Sequence, residues 1–342
     1  PVTARKAIRS FGHIVVTNPD MLHQGILPHH TRWIKLFENL RYVVIDEIHH
    51  YRGVFGSHLA NVIRRLKRIC SFYGSSPVFI CCSATIANPR ELAEKIVEQP
   101  VSLVDESGAP AGEKHIILYN PPVIDKKLGI RRSMIKEAAA IAQRFLLHGV
   151  QTILFTRSRI NVEILTTYLR AAMEKNKKGA QKIAGYRGGY LPRERRAIER
   201  GLKNRDIYGV VSTTALELGI DIGRLDACIM AGYPGTIAST WQQAGRTGRK
   251  AGASAAVLVA SSSPLDQYII NHPDYFFQRP PENGVINPDN LVILMSHVKC
   301  AAFELPFEET DRFGIDATDE LLTYLSEHGV LHKQASRFHW TS

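Results

Sequence analysis

The sequence predicts an α/β protein of two successive parallel-sheet lobes and a smaller terminal element, and three observations support that reading. Short β-rich apolar runs alternate with amphipathic helical patterns almost from end to end of the 342 residues. The proline-paired, glycine-terminated stretch Asn120-Pro121-Pro122-Val123-Ile124-Asp125-Lys126-Lys127-Leu128-Gly129 interrupts that alternation and is read as a linker. After about Gly284 the alternation stops. The expected division is residues 1–120 for the first lobe, 121–130 for the linker, 131–284 for the second lobe and 285–342 for the terminal element.

In the first lobe the expected strands are His13–Val16, Tyr42–Ile45, Val78–Cys82, Val101–Val104 and His115–Tyr119. Between two of them Leu59, Val62, Ile63, Leu66, Ile69 and Cys70 recur at helical spacing and leave Arg64, Arg65, Lys67 and Arg68 on a face expected to be solvated. The second lobe should carry strands near Thr152–Phe155, Lys182–Tyr186, Tyr208–Ser212, Ala227–Ala231 and Ala255–Ala260, with Lys175–Gly179 as an exposed turn. In the tail, Leu291–Phe303 is helical and apolar, and Leu321–Leu331 suggests a helix running into a hairpin that ends at Trp340 and looks truncated.

An excess of 43 Lys plus Arg over 32 Asp plus Glu gives a net charge of +11, which favours a polyanionic partner. The five cysteines show neither a C-x-x-C pair nor a disulfide spacing, so a reducing cytoplasm is expected and zinc is not. No apolar run approaches the roughly 20 residues of a membrane span. The chain opens on Pro1, consistent with a start inside a longer protein.

Asp46-Glu47-Ile48-His49 closes the run Tyr42–Ile45, where open α/β sheets bind ligands. Asp46 would hold Mg²⁺ through its water shell, Glu47 would orient and deprotonate an attacking water, and His49 would sense the phosphate. Ser83-Ala84-Thr85 closes the next strand, so the Ser83 and Thr85 hydroxyls would lie beside the acidic box and relay the nucleotide state. Gln242-Gln243-Ala244-Gly245-Arg246-Thr247-Gly248-Arg249 supplies an Arg-x-x-Arg able to neutralise charge on a transferring phosphate. A Gly-x-x-x-x-Gly-Lys-Ser/Thr phosphate loop is missing, so the chain reads as an ATPase fragment, inactive alone.

Thr17-Asn18-Pro19-Asp20 and Thr156-Arg157-Ser158-Arg159 each follow a strand and open a helix, as phosphate grips or plain caps. Tyr186-Arg187-Gly188-Gly189-Tyr190 sits at a strand end, either a tight turn or a place where Arg187 meets a phosphate. Gly219 permits close backbone approach, and Asp221 can accept from a ribose hydroxyl or an arginine. Arg193, Arg196, Arg200 and Lys203 fall within an arc of about 80° on a helix, best read as solvated.

These motifs, in this order over about residues 11 to 260, resemble a superfamily 2 DExH-box helicase. The resemblance implies two RecA-like lobes, the first incomplete, that sandwich ATP while one nucleic-acid strand crosses both. It makes Asp46, Glu47 and His49 motif II, Ser83–Thr85 motif III and Gln242–Arg249 motif VI, with Arg246 and Arg249 as arginine fingers. Val211–Asp221 resembles motif V, with Thr213 towards a nucleic-acid phosphate and Gly219 and Asp221 towards the nucleotide.

A narrower similarity, carried by Asp46–Gly53, Tyr186–Pro192, Ile286–Asn290 and Cys300–Pro306, is to the MrfA/YprA group of DNA repair helicases. It implies ATP-driven 3′-to-5′ translocation on single-stranded DNA or a tailed duplex, while the motif readings above give Thr17, Asn18, Thr156, Arg157, Ser158, Arg187 and Thr213 as candidate grips. It also implies a partial winged-helix-like element in 285–342. Motif I and the cysteine-rich zinc domain of that group lie outside the sequence. The alternatives are an RNA helicase or RNA-dependent ATPase, and a non-catalytic nucleic-acid-binding relative.

Overall fold

The computed structural model describes residues 7–8, 11–108, 112–176, 182–217, 219–220, 222–223, 225–248 and 252–341. The chain divides into two compact units, 1–104 with 283–342, and 105–282. Among the described residues no helix is long and apolar enough to cross a membrane.

In the first unit β1 (Tyr42–Ile45) and β2 (Val78–Cys81) pair in parallel, Tyr42 opposite Val78 and Ile45 opposite Cys81. Helix α1 (Gly53–Phe72) crosses between them, and α2 (Pro89–Val97) follows β2. Leu59, Val62, Ile63, Leu66 and Ile69 of α1 pack with Ile45, Phe79, Leu92, Ile96 and Phe37 in one buried cluster. Each such side chain contributes about 1.5–3 kcal/mol relative to exposure. The expected strands at His13–Val16 and Val101–Val104 do not form. Ile14, Val16 and Val104 are exposed instead, because a β-rich run becomes a strand only when a sheet edge accepts its backbone.

The second unit begins earlier than expected. β3 (Lys114–Tyr119) joins this unit's sheet as an edge strand, with His115 opposite Ala255 and Tyr119 opposite Val259. The stretch read as a linker is instead a hairpin, β4 (Val123–Asp125) with β5 (Ile130–Arg131). Asp125 Oδ1 accepts from the Lys127 and Leu128 amides at 2.8 and 3.1 Å, so the Pro and Gly signals marked a turn within a domain. There follow α3 (Met134–Leu147), β6 (Thr152–Thr156), α4 (Arg159–Lys175), β7 (Lys182–Tyr186), α5 (Pro192–Lys203), β8 (Ile207–Ser212), β9 (Ala227–Ala231), α6 (Ile237–Ala244) and β10 (Ser254–Val259). The six strands run parallel in the order β3-β10-β9-β6-β8-β7.

Strand alternation sends Leu154, Val211, Ile229 and Val257 to one face, against Ala142, Leu146, Leu165 and Leu169 of α3 and α4. Phe155, Val210, Cys228 and Leu258 go to the other face, against Leu202, Ile237 and Ala244 of α5 and α6. This is a doubly wound sheet, whose ligand edge lies at the carboxyl ends of its strands.

The terminal element returns to the first unit. α7 (Leu291–Glu304), β11 (Phe307–Glu308), α8 (Thr318–Glu327), β12 (Leu331–Gln334) and β13 (Arg337–Trp340) enclose Leu294, Val298, Phe307, Phe313, Leu322, Leu325 and Phe338. The strands form an antiparallel sheet in the order β11-β13-β12, giving a winged-helix shape.

This element covers the α1 face expected to be solvated. Arg65 is 1% exposed and donates through Nε to Glu304 Oε2 at 3.0 Å. Arg64 Nη2 reaches Asp289 Oδ1 at 2.6 Å and its Nε reaches Glu98 at 2.9 Å. Arg68 donates to Asp311 at 3.1 Å and lies 3.7 Å over the Phe307 ring. Helical spacing located the face correctly, but what covers it lies more than 200 residues further along the chain.

Removing one partner of a buried pair leaves the other charge uncompensated, so Arg65→Ala should destabilise this unit by about 3–5 kcal/mol. At the exposed Arg312–Asp316 pair, Arg312→Ala should cost less than about 1 kcal/mol. Urea unfolding of the two variants checks this. Equal shifts would show that the Arg65–Glu304 pair carries no special weight.

Candidate functional site

The acidic box sits at the carboxyl end of β1, where the ladder runs one step further through Cys82 N–H to Ile45 O and Ile48 N–H to Cys82 O, both 2.9 Å. Asp46 is exposed, and its Oδ1 accepts the Glu47 amide at 2.9 Å. Glu47 has φ 54°, a left-handed conformation that a residue with a Cβ adopts at a cost of about 1 kcal/mol or more. Strain of this kind is held where the surrounding contacts over-determine it. Here they do, because Ile48 is buried and its amide is bonded to Cys82, the residue just past β2.

His49 is 7% exposed. Its Nδ1 accepts the Ala84 amide at 3.2 Å, which leaves the ring proton on Nε2. Burial, then the neighbouring His50 and Arg52, lower its pKa to about 4. The ring is therefore neutral near pH 7, and the Glu47 carboxylate 3.4 Å from Nδ1 is a close neighbour rather than an ion pair. Nε2 is buried without a hydrogen-bond partner among the described residues. The tie between the box and the Ser83–Thr85 segment thus runs through the Ala84 amide, whereas hydroxyl relays were expected. Ser83 is exposed and Thr85 half-buried.

Near its amino end, Asn18 Oδ1 accepts the Met21 amide at 2.7 Å, so Asn18 caps the short helix Pro19–Met21 and Thr17 beside it is exposed.

In the second unit the sheet register brings the expected grips together. Phe155 and Tyr186 both lie opposite Ser212, so Thr156, Arg187 and Thr213 stand at the carboxyl ends of adjacent strands. Thr156 is buried and Arg157 exposed, and Ser158 caps α4 without a side-chain hydrogen bond. Thr213 Oγ1 accepts the Ala215 amide at 3.4 Å. Arg187 Nε donates to Glu163 at 2.7 Å and its guanidinium lies 4.9 Å over the Tyr190 ring. Arg193, Arg196, Arg200 and Lys203 are exposed, as expected.

Gly219 has φ 67°, a conformation that suits glycine. Arg246 is 6% exposed, donating through Nε to Glu217 O and through Nη1 to Ile220 O, both at 2.8 Å. It ties the two motif segments of this unit together. Gln243 adds a second tie, Nε2 to Glu217 Oε2 at 2.9 Å. Gln242 Nε2 is buried without a hydrogen-bond partner among the described residues. Asp221 and Arg249 lie outside the described residues. Sequence reasoning missed Glu217 and Gln243, although both lie inside segments it had singled out.

Asp46 is the carboxylate suited to Mg²⁺, which keeps most of its waters and needs few protein ligands. Among the described residues no group of three or more His, Cys, Asp or Glu side chains forms a metal cage.

Comparison with known proteins agrees with this geometry. The DEAD/DEAH box helicase model matches residues 2–93, the helicase conserved C-terminal domain matches 137–251, and the winged helix domain of ATP-dependent helicase HRQ1 matches 286–342. The chain belongs to the superfamily 2 helicases. It is 60% identical over 338 residues to the Bacillus subtilis protein named uncharacterized ATP-dependent helicase YprA, covering 99% of this chain and 45% of that one. It is 41% identical to ATP-dependent helicase hrq1 of Schizosaccharomyces pombe, covering 90% and 29%. The solved structure of DUF1998 helicase MrfA bound to DNA and AMPPNP matches with a TM-score of 0.96 and 59% identity, over 100% of this chain and 48% of that one. Within the superfamily the chain belongs to the MrfA/YprA group. It spans less than half the length of these relatives.

A pKa near 4 makes a checkable statement about His49. The unfolded chain takes up the imidazole proton near pH 6.5, the folded one only near 4, so His49 subtracts stability as pH falls through that window. Nitrogen-15 histidine spectra at pH 5.5 should show His49 as the neutral Nε2–H tautomer. A doubly protonated ring at that pH would overturn the assignment.

Proposed function

We infer that this chain carries the motor of an ATP-dependent DNA helicase, translocating 3′ to 5′ on single-stranded DNA or a tailed duplex. The observation that carries the reading is the acidic box held at a strand end, with its histidine bonded to Ala84 in the segment that follows the neighbouring strand, in a chain whose relative MrfA was solved with DNA and AMPPNP. Glu47 takes the proton of the attacking water, and the strained turn fixes where its carboxylate starts. Asp46 would hold Mg²⁺, which when bound neutralises charge on the transferring phosphate. Arg246 and Arg249 are proposed as the arginine fingers, and Arg246 also ties the segment around Glu217 and Ile220 to this motif.

Thr156, Arg157, Ser158 and Thr213 grip the DNA backbone in the second unit, and Thr17 does so in the first. Backbone grips read no base edges, so binding is sequence-independent. The family resemblance supports a role in DNA repair. A cytoplasmic location is proposed from cysteines that form no disulfide among the described residues.

ATP turnover by the full-length protein carrying this chain, with single-stranded DNA, RNA or neither, tests the reading. DNA should stimulate turnover, and Glu47→Gln should reduce it by about 10²- to 10⁴-fold while ATP still binds, because the amide cannot accept the proton. Stimulation by RNA alone would move the protein to the RNA-dependent ATPases. Wild-type turnover in the variant would remove Glu47 from catalysis.

Affinity for single-stranded DNA should fall with salt and vary little with base sequence. With about five phosphates neutralised, log affinity against log salt has a slope of roughly −3.5. A slope near zero, or a strong preference for one sequence, would defeat backbone tracking.

A further inference from the structure

Helix α6 carries Gln242 and Gln243 and runs directly into Arg246, yet it is only eight residues long. A helix of that length has little stability of its own in water, so something outside it must set its direction. Both of its ends are held by charged side chains remote in sequence. At the amino end Glu282 accepts two backbone amides, Ile237 N–H on Oε1 at 2.7 Å and Ala238 N–H on Oε2 at 3.1 Å. Thr236 Oγ1 accepts the next, Ser239 N–H, at 3.0 Å. At the carboxyl end Lys114 Nζ donates to Ala244 O at 2.9 Å, a carbonyl that also accepts from Thr247 Oγ1 at 2.9 Å.

An anion at the first turn and a cation at the last both oppose the helix dipole in the favourable sense. A carboxylate that spans two consecutive amides fixes orientation as well as position, since both oxygens must be satisfied at once. The amino end of α6 is thereby filled by the protein's own carboxylate. Glu282 is also the last residue of its unit, and Gly284 exchanges hydrogen bonds with Asn88 within the other, at 2.8 and 3.1 Å.

We propose that Glu282 is a positioning residue for ATP hydrolysis: its carboxylate, with Lys114 opposite, aims the helix that presents Gln242, Gln243 and Arg246. The proposal rests on the helicase reading for its catalytic consequence, but the aiming itself is testable without it. Trp241 lies on α6 with its ring 5.0 Å from that of Phe276 and near parallel to it, so it reports the helix directly. Replacing Trp33 and Trp340 by Phe leaves Trp241 as the sole tryptophan of the chain.

In that background Glu282→Ala should change the Trp241 emission spectrum, and Glu282→Gln, which keeps one acceptor oxygen, should change it less. Unchanged emission in folded Glu282→Ala would overturn the proposal whatever the activity. In the full-length protein carrying this chain, at saturating DNA, Glu282→Ala should lower kcat for ATP by about tenfold with KM moved less than about twofold. Glu282→Gln should fall between that variant and wild type. Folded Glu282→Ala with wild-type kcat would overturn the catalytic part. A wild-type protein with no DNA-stimulated turnover would instead sink the helicase reading, leaving the emission experiment to decide the role of Glu282. If Glu282→Ala does not fold, Glu282→Gln carries both measurements, and wild-type emission and kcat there would overturn the proposal.

Discussion

A guanidinium leaves water only for a full set of acceptors, and α1 turns three of them away from solvent. Arg64 finds Glu98 and Asp289, Arg65 finds Glu304, and Arg68 finds Asp311 and the Ala301 carbonyl. Four of those five partners belong to residues 283–342, so these pairs hold the winged-helix element on the first unit. The opposite face of the same helix packs on β1, β2 and α2. One helix therefore serves two cores, and it begins four residues after the last residue of the acidic box. Buried ion pairs add little net stability compared with apolar packing, but they tolerate few alternative arrangements, which suits a docked element that must keep one orientation.

The same requirement, that buried polar groups find partners, sorts the site residues. His49, Gln243 and Arg246 are buried and bond to Ala84, Glu217 and Ile220, through Nδ1 in the case of His49, so they hold segments in place. Asp46 and Arg157 are exposed at strand ends. Arg187 carries the same charge as Arg157, but Glu163 matches it within hydrogen-bond distance.

Charge distribution refines what the composition implied. Residues 285–342 contain nine Asp and Glu against four Lys and Arg, although the chain as a whole is at +11. Two of those four bases, Lys333 and Arg337 on the wing strands, are paired with Glu309 and Glu308. The basic surplus that favours a polyanion therefore lies outside the winged-helix element, in the two lobes.

What the sequence determined by itself was everything set by short-range periodicity and by motif order. Tyr42–Ile45, Val78–Cys81 and five strands of the second sheet were legible because alternation and β-branching act within a few residues. The acidic box, the Ser83–Thr85 segment and the Gln242–Arg249 motif were legible because their chemistry requires particular side chains at fixed spacing. What only the tertiary structure decided was partnership. The run 114–119 has the same alternation whichever sheet it joins, and it pairs with β10, which moves the start of the second unit back to residue 105. The arginines of α1 look solvated until acidic groups from the chain's last sixty residues arrive to bury them, and Glu282 carries no local mark of the helix it caps. Hydrogen bonds and ion pairs of this kind depend on distances in space between residues far apart in the chain, and local patterning holds no information about those distances.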